Sequence, residues 1–193
     1  MEHIYKEAVS SHASVIQLLS TDIAVSLAVA AIARTAAETL KNGGKILLCG
    51  NGGSAADCQH IAAELVGRFR KDRPSLAALA LTVDTSAITA IGNDYDFASI
   101  YARQIEGLGK PGDLLIGITT SGNSPNIIQA ILKAKSMDIK TVGLTGSNQD
   151  SKIAASADVC VHIPSSDTPR IQEAHILVGH VICAQIEKEL FGA

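Results

Sequence analysis

The 193-residue chain has no tryptophan, and its three tyrosines and three phenylalanines bring aromatics to only 3%. It has no basic excess either: sixteen Lys and Arg stand against nineteen Asp and Glu, a formal charge of −3. A nucleic-acid binder combines a basic surface with stacking aromatics, and both marks are missing. The four cysteines (Cys49, Cys58, Cys160, Cys183) form no CxxC pair; in a reducing compartment they read as buried thiols. Apolar runs are short. The longest, Ile23 to Ala33, has eleven residues and contains Ser26, whereas a membrane span takes about twenty. The N-terminal MEHIYKEAVSSH lacks the charged-then-apolar pattern of a secretory signal. The expectation is a cytoplasmic protein with no membrane and no nucleic-acid partner.

Hydrophobic residues make up 47% and charged residues 18%, a composition that excludes a disordered chain. A fold of this length buries about 70% of its unfolded surface, so one domain over residues 1–193 is expected, with a helical N-terminal extension over about 1–42. The first forty residues have apolar positions spaced by three and four with no Gly or Pro, which predicts two helices with a cap at Thr21-Asp22. Five short apolar runs follow: Lys45–Cys49, Leu76–Leu81, Asp113–Ile118, Lys140–Leu144 and Asp158–Ile163. Helical segments at about Ser54–Phe69, Asp84–Ile91, Ala98–Leu108, Pro125–Met137 and Lys152–Ala157 separate them, and a last helix runs from about Thr168 to Leu190. Buried strands alternating with helices imply an α/β fold: a doubly wound, mostly parallel five-stranded sheet flanked by helices, an α-β-α sandwich behind an N-terminal helical pair. Ligands of such sheets bind at the carboxyl ends of the strands.

Two strand-to-helix turns lie at such ends, CGNGGSAAD (Cys49–Asp57) and TTSGNSPN (Thr119–Asn126). Glycines admit an anion close to the backbone, and helix N-termini favour negative charge. Neither turn carries a lysine or a GxxxxGK[ST] pattern, which argues against a nucleoside triphosphatase. The second turn holds Thr119, Thr120, Ser121, Asn123 and Ser124. Ser124 before Pro125 is a good N-cap, but capping needs one hydroxyl, and the others suit a phosphate. In the first turn Ser54 reads as an ordinary N-cap.

Four residues apart on one helix, His60 and Glu64 share a face, as two metal ligands or an acid/base pair would. Apolar Ile61, Ala62, Leu65 and Val66 imply a well-buried helix whose polar stripe needs partners. The last helix, RIQEAHILVGH, offers Gln172, Glu173, His175 and His180. His175 and His180 diverge by about 140°, and Gln172 and His180 are separated by about 80° and about 12 Å of rise. One copy of the helix would not bring Gln172 and His180 to one small ion, so completion of the site by another subunit is expected. His3, His12 and His162 read as structural.

CGNGGSAADCQHIAAELVGRF (Cys49–Phe69), GND (Gly92–Asp94), TTSGNSPN and RIQEAHILVGH, in that order, resemble the phosphoheptose isomerases, sugar-isomerase (SIS) domain proteins acting on sedoheptulose 7-phosphate. The resemblance covers essentially the whole chain. It implies that Ser54, Thr119, Thr120, Ser121 and Ser124 cradle the phosphate, that Asn51, Gly52 and Gly53 line the sugar, and that Asn93 and Asp94 add substrate contacts. It also implies zinc (Zn2+), one per subunit, on His60, Glu64, Gln172 and His180, with Gln172 and Glu64 near substrate and Glu64 and His180 as catalytic base and acid. A homotetramer with sites between subunits is implied as well. The expected reaction is an aldose–ketose isomerisation through an enediol, giving D-glycero-D-manno-heptose 7-phosphate for ADP-heptose and lipopolysaccharide synthesis. An apolar pocket around Glu64 would favour its work as a base. The alternatives are a non-catalytic SIS-domain regulator of the replication initiator and a sugar-phosphate sensor.

Overall fold

The computed structural model describes residues 2–192; the ends of the expected domain, Met1 and Ala193, fall outside them. Two helices open the chain, α1 (Glu2–Thr21) and α2 (Ile23–Lys41), and the side chain of Asp22 caps α2 by accepting the Val25 N–H. Then come β1 (Ile46–Gly50), α3 (Gly53–Val66), β2 (Ala78–Ala80), α4 (Thr85–Asp94), α5 (Ile100–Leu108), β3 (Leu114–Ile118), α6 (Pro125–Lys135), β4 (Lys140–Thr145), α7 (Lys152–Ser156), β5 (Val159–His162) and α8 (Thr168–Phe191). All five apolar runs are strands. The run at 76–81 is shortened most, because β2 is an edge strand paired only with β1. Helix α4 outruns its expected end at Ile91, so Asn93 and Asp94 form its last turn rather than a loop.

The sheet is parallel throughout, in the order β2-β1-β3-β4-β5. The order in which strands are added reverses between β1 and β3, where Gly50 stands opposite Ile118. Beyond those two residues lies the crevice where ligands of doubly wound sheets bind. Alternate strand residues feed two cores. Leu48, Ile116 and Leu144 pack with Ile61, Leu65 and Ile182 on one face; Leu47 and Leu115 pack with Ile127 and Ile131 on the other. Each such side chain contributes about 1.5–3 kcal/mol by leaving water.

Taken whole, α2 has a mean hydropathy of 1.5, enough by length and composition to cross a membrane. The apolar run read from the sequence is shorter because Arg34 ends it. Here Val29, Ile32, Ala33, Ala36 and Ala37 are buried, and α2 packs as a core helix against α8.

Helices α3 and α8 lie side by side and run in the same direction. Gly53 meets Gln172 near their starts, Ile61 meets Gly179 midway, and Glu187 reaches the residues just beyond α3. A Cβ on Gly179 would stand 2.7 Å from Ile61 Cδ1, so glycine there permits the close approach. Farther along the same core, His175 is fully buried; its Nε2 donates to the Thr145 carbonyl at 3.2 Å, and its Nδ1 has no partner among the described residues.

Burial pushes the His175 pKa down to about 4, the Thr145 contact offsetting only part of this. The unfolded chain therefore takes up this proton at a higher pH than the folded one. The residue's contribution is complete above about pH 6.5 and is lost as pH falls towards 4. Denaturant titrations are expected to show about 2 kcal/mol less stability at pH 5 than at pH 7 from this group. His175→Gln should flatten that part of the profile, and an equal drop in both proteins would assign it elsewhere.

Candidate active site

Both turns read as anion-binding lie side by side at the switch point. A reciprocal amide pair joins them: Asn51 Nδ2 donates to Asn126 Oδ1 at 2.9 Å, and Asn126 Nδ2 donates to Asn51 Oδ1 at 2.8 Å. In the first turn the N-cap of α3 is Gly52, at φ 57° and ψ −121°, a conformation that suits glycine. Ser54 is not the cap, as the sequence suggested; it lies inside the first turn of α3 and is buried. In the second turn Ser124 spends its hydroxyl on Thr119 Oγ1, 2.9 Å away, and makes no capping bond. Ser121 Oγ lies 3.4 Å from the same Thr119 oxygen. Three hydroxyls thus converge at the N-terminus of α6, with the half-buried Thr120 between them in the chain. Neutral donors at a helix N-terminus suit an anion.

The expected stripe on α3 is real but less buried than its apolar neighbours implied. The side chains of His60 and Glu64 are 46% and 23% exposed, so the chain does not close either of them off from solvent. Its Oε1 lies 3.1 Å from His60 Nε2, which in turn lies 3.3 Å from His180 Nε2. The ligand atoms of all three residues fall within 4.8 Å of one another. Tetrahedral zinc bonds of about 2.0–2.1 Å set neighbouring ligand atoms about 3.3 Å apart, so the two imidazoles already stand at the spacing of a shared cation. His60, Glu64 and His180 therefore form a group that could hold a metal ion, and one chain supplies all three. The acid and the imidazoles need no second chain to meet: parallel α3 and α8 bring them together within one protomer.

Gln172 sits elsewhere. Its amide packs over the backbone of Gly53, where a Cβ would come within 2.5 Å of Nε2. It therefore faces the first turn, and the separation computed from helix geometry corresponds to this division. Asn93 and Asp94 are exposed and hydrogen-bonded to each other at 2.9 Å, with no bond to either turn among the described residues. His12 pairs with Glu173 at 2.8 Å and ties α1 to α8.

One carboxylate was overlooked. Asp57, three residues before His60, has a buried Oδ2 without a partner among the described residues. Burial raises its pKa, and the nearby His60 partly opposes this. Its i−3 spacing from His60 was the available signal. Two cavities have similar volumes. One of about 500 Å3 lies at the opposite end of the sheet, beside Lys45, Lys110 and Asp113. The other, a groove of about 530 Å3, is lined by Phe69, Leu177, His180 and Val181 and borders the trio.

Residues 10–146 match the SIS domain family. A phosphoheptose isomerase of Nitratiruptor sp. is 52% identical over 188 residues, covering 97% of this chain and 98% of the relative. That of Aneurinibacillus thermoaerophilus is 49% identical over 191 residues, covering 99% and 96%. The solved phosphoheptose isomerase of Neisseria gonorrhoeae superposes with a TM-score of 0.89 at 44% identity, covering 97% of this chain and 98% of that one. The regulator reading gains no support from these relatives. With its switch-point turns, its α3–α8 pairing and this degree of identity, the chain belongs to the SIS domain family and, within it, to the phosphoheptose isomerases.

Proposed function

We propose that the protein interconverts sedoheptulose 7-phosphate and D-glycero-D-manno-heptose 7-phosphate by proton transfer through an enediol. The observation that carries this reading is the approach of Glu64 and His180 within one chain, on the helix that the first turn opens and on its parallel neighbour, with the hydroxyl-rich second turn joined to the first through Asn51 and Asn126. About 9 Å of helical rise separates Ser54 from His60. The phosphate and the reacting carbons of a heptose 7-phosphate likewise lie at opposite ends of a seven-carbon chain.

In this reading Ser54, Thr119, Thr120, Ser121 and Ser124 bind the phosphate. Its binding energy then holds carbons 1 and 2 in place without joining the chemistry. Asn51, Gly52, Gly53 and Gln172 line the sugar, and Asn93 and Asp94 would have to reach it from the end of α4. The Glu64 carboxylate takes a proton from carbon 1, the C–H electron pair becomes the C1–C2 double bond, and His180 gives a proton to the carbonyl oxygen on carbon 2. The enediol then returns its carbon 1 hydroxyl proton to His180 while Glu64 delivers a proton to carbon 2, which leaves the aldose. Each positioned acid or base of this kind is worth about 10²–10⁴-fold.

His60, Glu64 and His180, with Gln172 as a more distant candidate, would hold zinc, one per subunit. Glu64 and His180 so engaged would be poorer proton carriers, and the metal would instead polarise the substrate carbonyl as a Lewis acid. A homotetramer with sites at its subunit contacts, working in the cytoplasm at the start of ADP-heptose and lipopolysaccharide synthesis, completes the proposal.

Incubation with sedoheptulose 7-phosphate is expected to yield the aldose. Glu64→Gln should lower kcat by about 10²-fold or more with little change in thermal midpoint. Binding of the sugar phosphate without conversion by the unmodified protein would overturn the enzymatic reading. Treatment with a chelator is expected to abolish turnover and added zinc to restore it; unchanged turnover after the metal is stripped would deny the trio a metal-dependent role.

A further inference from the structure

Beyond Val66 the chain does not leave α3 freely. The Arg73 guanidinium turns back on the helix end: Nη2 donates to the Glu64 carbonyl at 2.7 Å, and Nη1 donates to that of Leu65 at 2.6 Å. These are among the last carbonyls of a helix, which have no partner within it. On its other edge, Arg73 Nε donates to Glu187 Oε1 at 3.0 Å. Both side chains are buried, at 2% and 3% exposure. The Glu187 carboxylate also accepts the N–H groups of Phe69 at 3.1 Å, Arg70 at 3.0 Å and Lys71 at 3.3 Å. One buried ion pair thus fastens the strap 67–73 to α8 and the end of α3 to the strap.

The strap carries Phe69, whose ring stacks on the His180 imidazole with centroids 5.4 Å apart and planes 22° apart. His60 meets the same imidazole edge-on, at 5.0 Å and 72°. His180 is therefore held between the stripe of α3 and a ring delivered by the strap. Glu187 lies seven residues after His180, two turns along nearly the same face of α8. Among the described residues it bonds to neither His180 nor Glu64, yet its partners reach both: Phe69 packs on His180, and Arg73 bonds to the backbone of Glu64.

Resting on the isomerase reading above, we infer that Glu187 and Arg73 are positioning residues for the reaction: through the strap they fix the His180 ring with Phe69 and pin the turn of α3 that carries Glu64. A buried ion pair with a purely structural role would set stability alone. This one also sets the geometry between proton donor and base, where small displacements are costly in rate.

The test compares Phe69→Leu, Phe69→Tyr and Glu187→Gln in the full chain by steady-state kinetics, thermal midpoint and the NMR shift of the His180 ring protons. Phe69→Leu is expected to lower kcat about tenfold or more, with KM within about threefold and the midpoint nearly unchanged. Phe69→Tyr, which keeps the ring, should restore kcat. Loss of the stacked ring should move the His180 resonance downfield in Phe69→Leu, and folded Glu187→Gln should move it in the same direction while lowering kcat. The double variant should be no slower than the slower single one. If Glu187→Gln does not fold, Glu187→Asp, which keeps the charge and shortens the reach, takes its place in the same comparison. A folded Glu187 variant with the wild-type His180 shift and wild-type kcat overturns the inference. If the unmodified protein does not convert sedoheptulose 7-phosphate, the isomerase reading fails, and the His180 shift still decides the positioning.

Discussion

The parallel packing of α3 on α8 is the constraint on which the rest of the structure depends. Neither helix alone carries the group of imidazoles and carboxylate. His60 and Glu64 come from α3 and His180 from α8, and they meet only because the helices keep one register. That register is set by shape where Gly179 admits Ile61, and by charge where Glu187 and Arg73 close the far end. A slip of one turn is about 5.4 Å, enough to carry His180 out of reach of His60. The apolar core beneath, with Leu65, Ile182 and Cys183 buried, makes such a slip expensive.

The same helix that carries the stripe begins at the switch point of the sheet. Its first turn touches Gln172 on one side and, through Asn51 and Asn126, the hydroxyl turn after β3 on the other. Helix α3 thus carries Ser54 at its start and, about six residues later, His60, while the hydroxyl turn is tied to its N-terminus and His180 reaches its stripe from α8. A substrate charged at one end and reactive at the other matches that spacing. The trio borders an open groove, so the site is not sealed by the single chain.

Much of this was legible in the sequence, for identifiable reasons. Central parallel strands are buried on both faces and read as continuous apolar runs, so β1, β3 and β4 were found nearly whole, while the edge strands β2 and β5 came out shorter than their runs. The turns announced themselves by glycines and clustered hydroxyls, and the His60–Glu64 pair by its spacing. What failed depended on tertiary partners. Ser124 is a good cap by local rules, but Thr119 competes for its hydroxyl. Apolar neighbours of His60 implied burial, yet only Ile61, Ala62 and Leu65 face the core, while Val66 and His60 turn outward. That His180 would meet α3 in the same chain follows from a parallel pairing of two helices more than a hundred residues apart, which no local pattern encodes. The Arg73–Glu187 pair escaped notice for the same reason: 114 residues separate its members.

The most direct test is a crystal structure with zinc and sedoheptulose 7-phosphate bound. The account predicts the ion against His60, Glu64 and His180, the phosphate among Ser54 and the 119–124 hydroxyls, and carbons 1 and 2 beside Glu64. A sugar phosphate seated elsewhere, or Glu64 and His180 turned away from its reacting end in every protomer, would contradict it.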